Sequence, residues 1–395
     1  MHAVASRALS PGAAVGGASL TLVADDGHGS EPPAAERGPG PLGELLLVGG
    51  ATPVLFALSW LLRRWLGLDP AEYAVGFAFF YGAYLINDPH FAVSYLLFYR
   101  DVRGRALGES FPRAQRMRWW LAGVVVPLLL SAWAIGALWA RSSAALGALI
   151  QLMFLLVGWH YVKQGFGLML VLAARRGVFF SGFERLAILG HCYAGWAYAW
   201  ASPADPGSLV AEKGVVFTTI ARSALLERTT FAVFIASALL LAAALGRKLL
   251  REGRLPLVTP LTALLCSIWV WSVYSSRDPL VRYAIPALHS LQYLYIVYLY
   301  RRGEASERER APFFEASVRA RLGGLAGSAL VLGVLLFHLG PSVLDAWLTP
   351  ARSATTDLGA TPYFAALFAV VNLHHYFMDA VLWRRDNPLT RHLRA

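Results

Sequence analysis

Residues 144–174 read AALGALIQLMFLLVGWHYVKQGFGLMLVLAA. The stretch holds no Asp, Glu or Arg and exceeds the roughly 20 apolar residues that cross about 30 Å of hydrocarbon as a helix. Near its middle sit His160, Lys163 and Gln164, polar groups that lipid accepts only at a cost. One segment therefore states both themes of the chain, a membrane span and a polar interior. Over all 395 residues, 57% are hydrophobic and 15% charged. Soluble proteins carry about 25% charged residues, so too little polar surface is present to coat a water-facing particle. A soluble enzyme, a disordered regulator and a disulfide scaffold are excluded. A β-barrel is excluded as well, because its strands alternate instead of running apolar. Cys192 and Cys266 both lie in apolar segments.

Ten apolar segments follow one another, at about 43–66, 72–98, 119–140, 144–174, 179–201, 229–246, 256–275, 279–300, 322–348 and 362–383. They predict an all-α, polytopic helical bundle over residues 43–395. Residues 1–42, rich in Ala, Gly and Pro, read as a disordered tail. The long connection 202–228 leaves room for one short surface helix. Asn87-Asp88-Pro89 marks a candidate helix break, because proline removes a backbone donor, and the run beginning at His338 marks a second. Basic residues follow the even-numbered segments: Arg100 to Arg118, Arg175 and Arg176, Arg247 to Arg254, Arg301 to Arg321, and Arg384 to Arg394. Cytoplasmic loops carry such an excess, so both termini are expected in the cytoplasm, in an inner (cytoplasmic) membrane. The same loops account for the net charge of +11 without any nucleic-acid partner.

Four even-numbered segments carry polar clusters: Asn87-Asp88-Pro89-His90, His160 to Gln164, His289-Ser290-Leu291-Gln292-Tyr293, and Asn372-Leu373-His374-His375 with Asp379. His90 and His374 each stand ten residues before the basic collar, His289 twelve and His160 fifteen. At 1.5 Å per residue, all four lie roughly 15–23 Å from the cytoplasmic face, in one layer about 8 Å thick. Each has a companion three or four residues along its helix: Asn87 and Ser94 for His90, Gln164 for His160, Gln292 for His289. Asp379 stands four residues beyond His375. An imidazole that binds a metal usually gives its second N–H to such a group. The expected ligands are His90, His160, His289 and His374. His375 is a fifth ligand or proton donor, and Asp379, Asp88, Gln164, Gln292, Asn87 and Asn372 orient imidazoles or offset the charge of the ion. Imidazoles without thiolate suit iron, copper or zinc. Three other readings stay open: a proton-coupled transporter using Asp88, Lys163 and Asp379, a bis-histidine haem protein, and plain hydrogen bonding between helices. His191 and His338, on odd-numbered segments, are weaker candidates.

Pro89-His90, His160, His289-Ser290 and His374 with Asp379 resemble, in order, the four histidine motifs of bacterial carotene dioxygenases of the Brp/Blh type. Those are integral membrane enzymes that cleave β-carotene to retinal. The resemblance implies four imidazoles on a non-haem Fe(II), with dioxygen as co-substrate. No Gly and Asp follow His90 here, and Tyr293 stands where that family has a second histidine. Diiron desaturases need several further histidine boxes, of which only His374-His375 matches one. The sequence thus points to a metal-dependent oxidoreductase for a lipid-soluble carotenoid, isoprenoid or acyl chain. Its partners are the bilayer, a lipophilic small molecule and dioxygen. Phe79, Phe80, Tyr81, Tyr293, Tyr295 and Tyr298 either line a substrate path or simply pack.

Overall fold

The computed structural model describes residues 39–395 apart from Ser110, Pro203 and residues 254–257, 310–316, 350–356 and 394–395. Most of the expected tail, together with Arg254, Arg310, Arg352 and Arg394, lies outside the described residues. From Pro41 the chain is already helical.

Each of the ten apolar segments is helical. The helices are α1 (Pro41–Leu66), α2 (Leu68–Ala83), α3 (Asn87–Tyr99), α4 (Val102–Leu107), α5 (Arg113–Trp139) and α6 (Ser143–Ala174). They continue with α7 (Gly182–Ala201), α8 (Ala224–Glu252), α9 (Val258–Val273), α10 (Val281–Glu309), α11 (Val318–Leu348) and α12 (Pro362–Leu382). Among the described residues, α1, α5, α6, α8, α11 and α12 are long and apolar enough to cross a membrane. The chain is a multi-pass helical membrane protein. Helix starts follow local chemistry. The Ser142, Ser223 and Ser317 hydroxyls each accept from a backbone N–H three residues on, and Ser181 with Glu184 forms a reciprocal capping box.

The second apolar segment is split where the sequence offers a break. Helix α2 stops before Tyr84, and α3 restarts at Asn87. Pro89 has no N–H to give, and its ring would meet the carbonyl of residue 85 in a continuous helix; in the first turn of α3 it is harmless. The expected break at His338 is instead a wide π-turn over Leu335–Leu339, through which α11 continues. The described residues of the connection 202–223 hold no helix. It forms an antiparallel hairpin, β1 (Leu209–Glu212) with β2 (Val215–Thr218). Lys213 and Gly214, both at positive φ, make its two-residue turn. Gln151 of α6 holds it by bonding the Thr218 carbonyl (3.3 Å) and the Ile220 N–H (2.6 Å).

Ion pairs gather one end of the bundle. Glu44 at the start of α1 pairs with Arg176 beyond α6, and Arg100 after α3 pairs with Glu304 on α10 (3.0 Å). Arg118 on α5 pairs with Asp386 beyond α12 (2.6 Å). Arg175 after α6 donates to the Leu393 carbonyl beyond α12 (3.2 Å), and Glu307 on α10 lies 3.5 Å from Arg391, so the ends of α3, α6, α10 and α12 share one level. Deeper in, Gly333 of α11 lets α3 come close: a Cβ there would meet the Asp88 backbone at 3.0 Å. Small residues permit such approach in membranes.

Gly49 lies in a kink of α1 at φ +125°, and an added Cβ would sit 3.0 Å from Cys266 Cβ and 3.2 Å from Trp271. Gly49→Ala should cost about 1–3 kcal/mol through backbone strain and crowding, seen as a lower apparent melting temperature in detergent. In the hairpin connection, the Thr219 hydroxyl and the Gly207 N–H hold the Asp205 carboxyl below its ordinary value of 3.8. A depressed carboxylate stabilises above the unfolded pKa and is lost as pH falls through the folded one. Amide protection factors in the hairpin, corrected for the intrinsic exchange rate, should accordingly hold at neutral pH and fall only below about pH 4, and Asp205→Asn should remove that dependence.

Candidate metal centre

Four helices each send one imidazole into one cluster, His90 from α3, His160 from α6, His289 from α10 and His375 from α12, in two overlapping groups that share His160. All are buried, with 4% or less of their surface exposed. Ring centroids lie 4.4 Å apart for His90–His375, 4.8 Å for His160–His375, 4.9 Å for His160–His289 and 5.1 Å for His90–His289. Nitrogens of His90, His160 and His289 fall within 4.8 Å of one another, as do ligand atoms of His160, His375 and Asp379. The Nε2 atoms of His160 and His375 are 3.2 Å apart. Two nitrogens bonded to one metal at about 2.1 Å stand roughly 3.0–3.4 Å apart at octahedral or tetrahedral angles.

What surrounds these rings decides which atoms face inward. The Ser290 hydroxyl donates to Asn87 Oδ1 (3.0 Å), so it can only accept from His90 Nδ1 (3.2 Å). That assigns the proton to Nδ1 and leaves His90 Nε2 a bare lone pair, which has no partner among the described residues. Neither nitrogen of His289 has a partner, nor does His375 Nδ1. Aromatic faces hold the rings instead. Tyr161 lies 4.1 Å over His289, and Tyr376 stacks on His160 at 4.7 Å. Buried polar groups are normally hydrogen-bonded, so several orphaned imidazole nitrogens at one point are the donor set a metal ion satisfies.

Asp379 supplies the charge. Its Oδ1 accepts from Tyr293 (2.7 Å) and Ser94 (3.0 Å), while Trp383 donates to the Tyr293 hydroxyl (3.3 Å). Its Oδ2 is left without a hydrogen bond and lies 3.4 Å from His375 Nε2 and 3.8 Å from His160 Nε2.

His374, expected as the fourth ligand, is not brought to this point. Its Nε2 lies 3.0 Å from the Ala122 carbonyl and its Nδ1 3.1 Å from the Tyr95 hydroxyl. The π-turn Leu121–Val125 of α5 frees that carbonyl. Successive residues of a helix point about 100° apart, so α12 turns His374 toward α5 and His375 toward the cluster. Several expected companions also face elsewhere. Gln164 donates to Gln292 (2.8 Å) and to the His289 carbonyl (3.1 Å), and Gln292 donates to the Val48 carbonyl (2.9 Å). Asn372 bonds within its own helix to Phe368 and Tyr376. Asp88 does not face the imidazoles: its Oδ2 lies 2.7 Å from His338 Nε2. His191 is satisfied apart from the site, by Ser237 and Trp269. Of the aromatic candidates, Tyr293 touches the cluster, 4.6 Å from His90, whereas Tyr295 bonds Glu44.

No family model, no curated protein and no solved structure matches this chain. The geometry is its own witness.

His375→Ala should remove most bound metal from the purified protein, while His374→Ala leaves it in place, as elemental analysis will record. Ser290→Ala strips the acceptor from His90 Nδ1. It should weaken metal affinity by about 10–100-fold, the usual effect of losing an outer partner, in a competitive chelator titration.

Proposed function

We propose that this protein is an inner-membrane, metal-dependent oxidoreductase. In this reading His90, His160, His289 and His375 hold a non-haem Fe(II), and dioxygen and a lipid-soluble carotenoid, isoprenoid or acyl chain are the substrates. One observation carries the reading: four buried imidazoles from four helices gather in two overlapping groups that share His160, and His90 Nε2, both nitrogens of His289 and His375 Nδ1 have no hydrogen-bond partner among the described residues. The chain crosses the membrane ten times with both termini in the cytoplasm, a topology supported by the end-of-bundle ion pairs among basic loops. A neutral imidazole set without thiolate suits iron, copper or zinc, and the choice of iron among them rests on the resemblance to the carotene dioxygenases, with the fourth imidazole taken one residue later than that pattern has it.

When bound, the ion supplies the capacity to activate dioxygen. The chain's own residues do the rest. Asn87 and Ser290 fix the His90 tautomer so that Nε2 faces the ion. Ser94 and Tyr293 fasten Asp379 Oδ1, which holds Oδ2 toward the ion; this one carboxylate offsets part of its charge in a low dielectric. Phe91, Tyr161 and Tyr376 wall the imidazoles from water. A relay for proton-coupled transport finds less support. Asp88 is committed to His338, Asp379 to Tyr293, and the Lys163 ammonium rests 5.6 Å over Phe166. Haem finds none, since axial imidazoles need a slot for the macrocycle between them and these rings abut.

Elemental analysis of protein purified without chelators should give about one iron per chain, lost together with lipid-dependent oxygen consumption in His160→Ala. Wild-type protein without stoichiometric metal overturns the proposal.

A further inference from the structure

One polar group inside the bundle faces outward. His338 sits in the π-turn of α11, within a membrane-spanning helix, with 24% of its side chain exposed. Its ring stacks flat on Tyr84 (3.7 Å, 12°), the first residue of the gap between α2 and α3. Its Nε2 is engaged by the buried Asp88 carboxylate at 2.7 Å. No hydrogen bond reaches its Nδ1 among the described residues. An imidazole nitrogen turned toward hydrocarbon is an expensive group, and the chain goes to some length to hold this one still. It spends a buried carboxylate, a stacked tyrosine and a close helix approach at Gly333 on it.

The neighbouring residues connect it to the metal centre. Phe337, next in sequence, meets Phe91 at 5.0 Å, and Phe91 meets His90 at 4.6 Å and His375 at 4.8 Å. With Val371 these two phenylalanines form a small cluster of their own, apart from the larger cores. Two aromatic rings are thus all that this route interposes between a lipid-facing imidazole and the ligands.

We propose that His338, Asp88 and Tyr84 form a doorway site that binds the terminal hydroxyl of a lipid-dissolved chain, with Phe337 and Phe91 as the plug between it and the metal centre. The hydrogen-bond pattern sets the chemistry. With Asp88 ionised and the imidazole neutral, Nε2 carries the proton and Nδ1 offers a lone pair. An alcohol donates to that lone pair; an ether, an ester or a hydrocarbon does not. The flat Tyr84 face beside it suits an unsaturated or isoprenoid chain next to the hydroxyl. The doorway rests on the metal-dependent reading only for what happens beyond Phe91. The binding step stands on its own.

The test uses the full-length protein in lipid nanodiscs, with a tritiated twenty-carbon isoprenoid alcohol as probe and its methyl ether as competitor, read by scintillation proximity. The alcohol should bind about tenfold more tightly than the ether, the effect of one buried hydrogen bond left unmade. His338→Phe should bind both alike, with ether affinity near that of wild type, which also reports that the fold is intact. His338→Gln should keep the preference, because its amide donates to Asp88 while its oxygen accepts. Equal affinities in the wild type, or a preference that survives His338→Phe, overturn the proposal. Metal content measured on the same samples separates the two readings: a preference for alcohol in metal-free wild type leaves the doorway standing and removes the metal centre.

Discussion

Imidazole nitrogens without partners, in a medium that cannot solvate them, are the constraint on which this bundle depends. A buried polar atom left unpaired costs about 1–3 kcal/mol, and His90, His289, His375 and Asp379 all contribute such atoms. The fold does not relieve the strain locally. It fixes it, by seating His90 on Ser290, Asp379 on Tyr293 and Ser94, and His160 and His289 against tyrosine faces. Every one of these supports comes from a helix other than the one that carries the supported group. The site therefore exists only when α3, α6, α10 and α12 are packed together. Ion pairs at the bundle end, and Gly333 where α11 meets α3, support that packing.

Much of the architecture was legible in the residues. All ten apolar segments are helical, because burial in lipid forces a backbone to satisfy itself, and hydropathy reports that directly. Pro89 announced the break between α2 and α3. The hairpin was missed although its signal was present: Lys213-Gly214 between the short apolar runs Leu209–Glu212 and Val215–Thr218 is a two-residue turn pattern, overshadowed by the surrounding helices.

The candidate site was legible in depth and illegible in direction. Counting residues from the basic collar placed His90, His160 and His289 in one layer, and the structure brings them together. The same count cannot separate His374 from His375, which differ by 1.5 Å along the axis and by about 100° around it. Reading companions along each helix failed for a related cause. Ser94, Gln164 and Gln292 do point inward, but an interior side chain meets the neighbouring helix before it meets its own, so their partners are Asp379, the His289 carbonyl and the Val48 carbonyl. His338 stood only as a weaker candidate because it sits on an odd-numbered segment, and its pairing with Asp88 was not foreseen because no spacing rule links α11 to Asp88.

The split between α2 and α3 bears on how the protein is made. Neither piece, sixteen and thirteen residues long, reaches the length that a helix needs to settle alone across a bilayer. The neighbours against which α3 packs most are α10, α11 and α12, all translated long after it, although its last turn also meets α5 through Phe98 and Trp119 (4.0 Å). A nascent chain that has emerged only as far as α6 thus holds His160 on a helix long enough to span by itself, but His90 on a short piece that still lacks most of its packing partners. Closing of the imidazole cluster waits for the last third of synthesis, when the C-terminal helices draw the early, broken span into place.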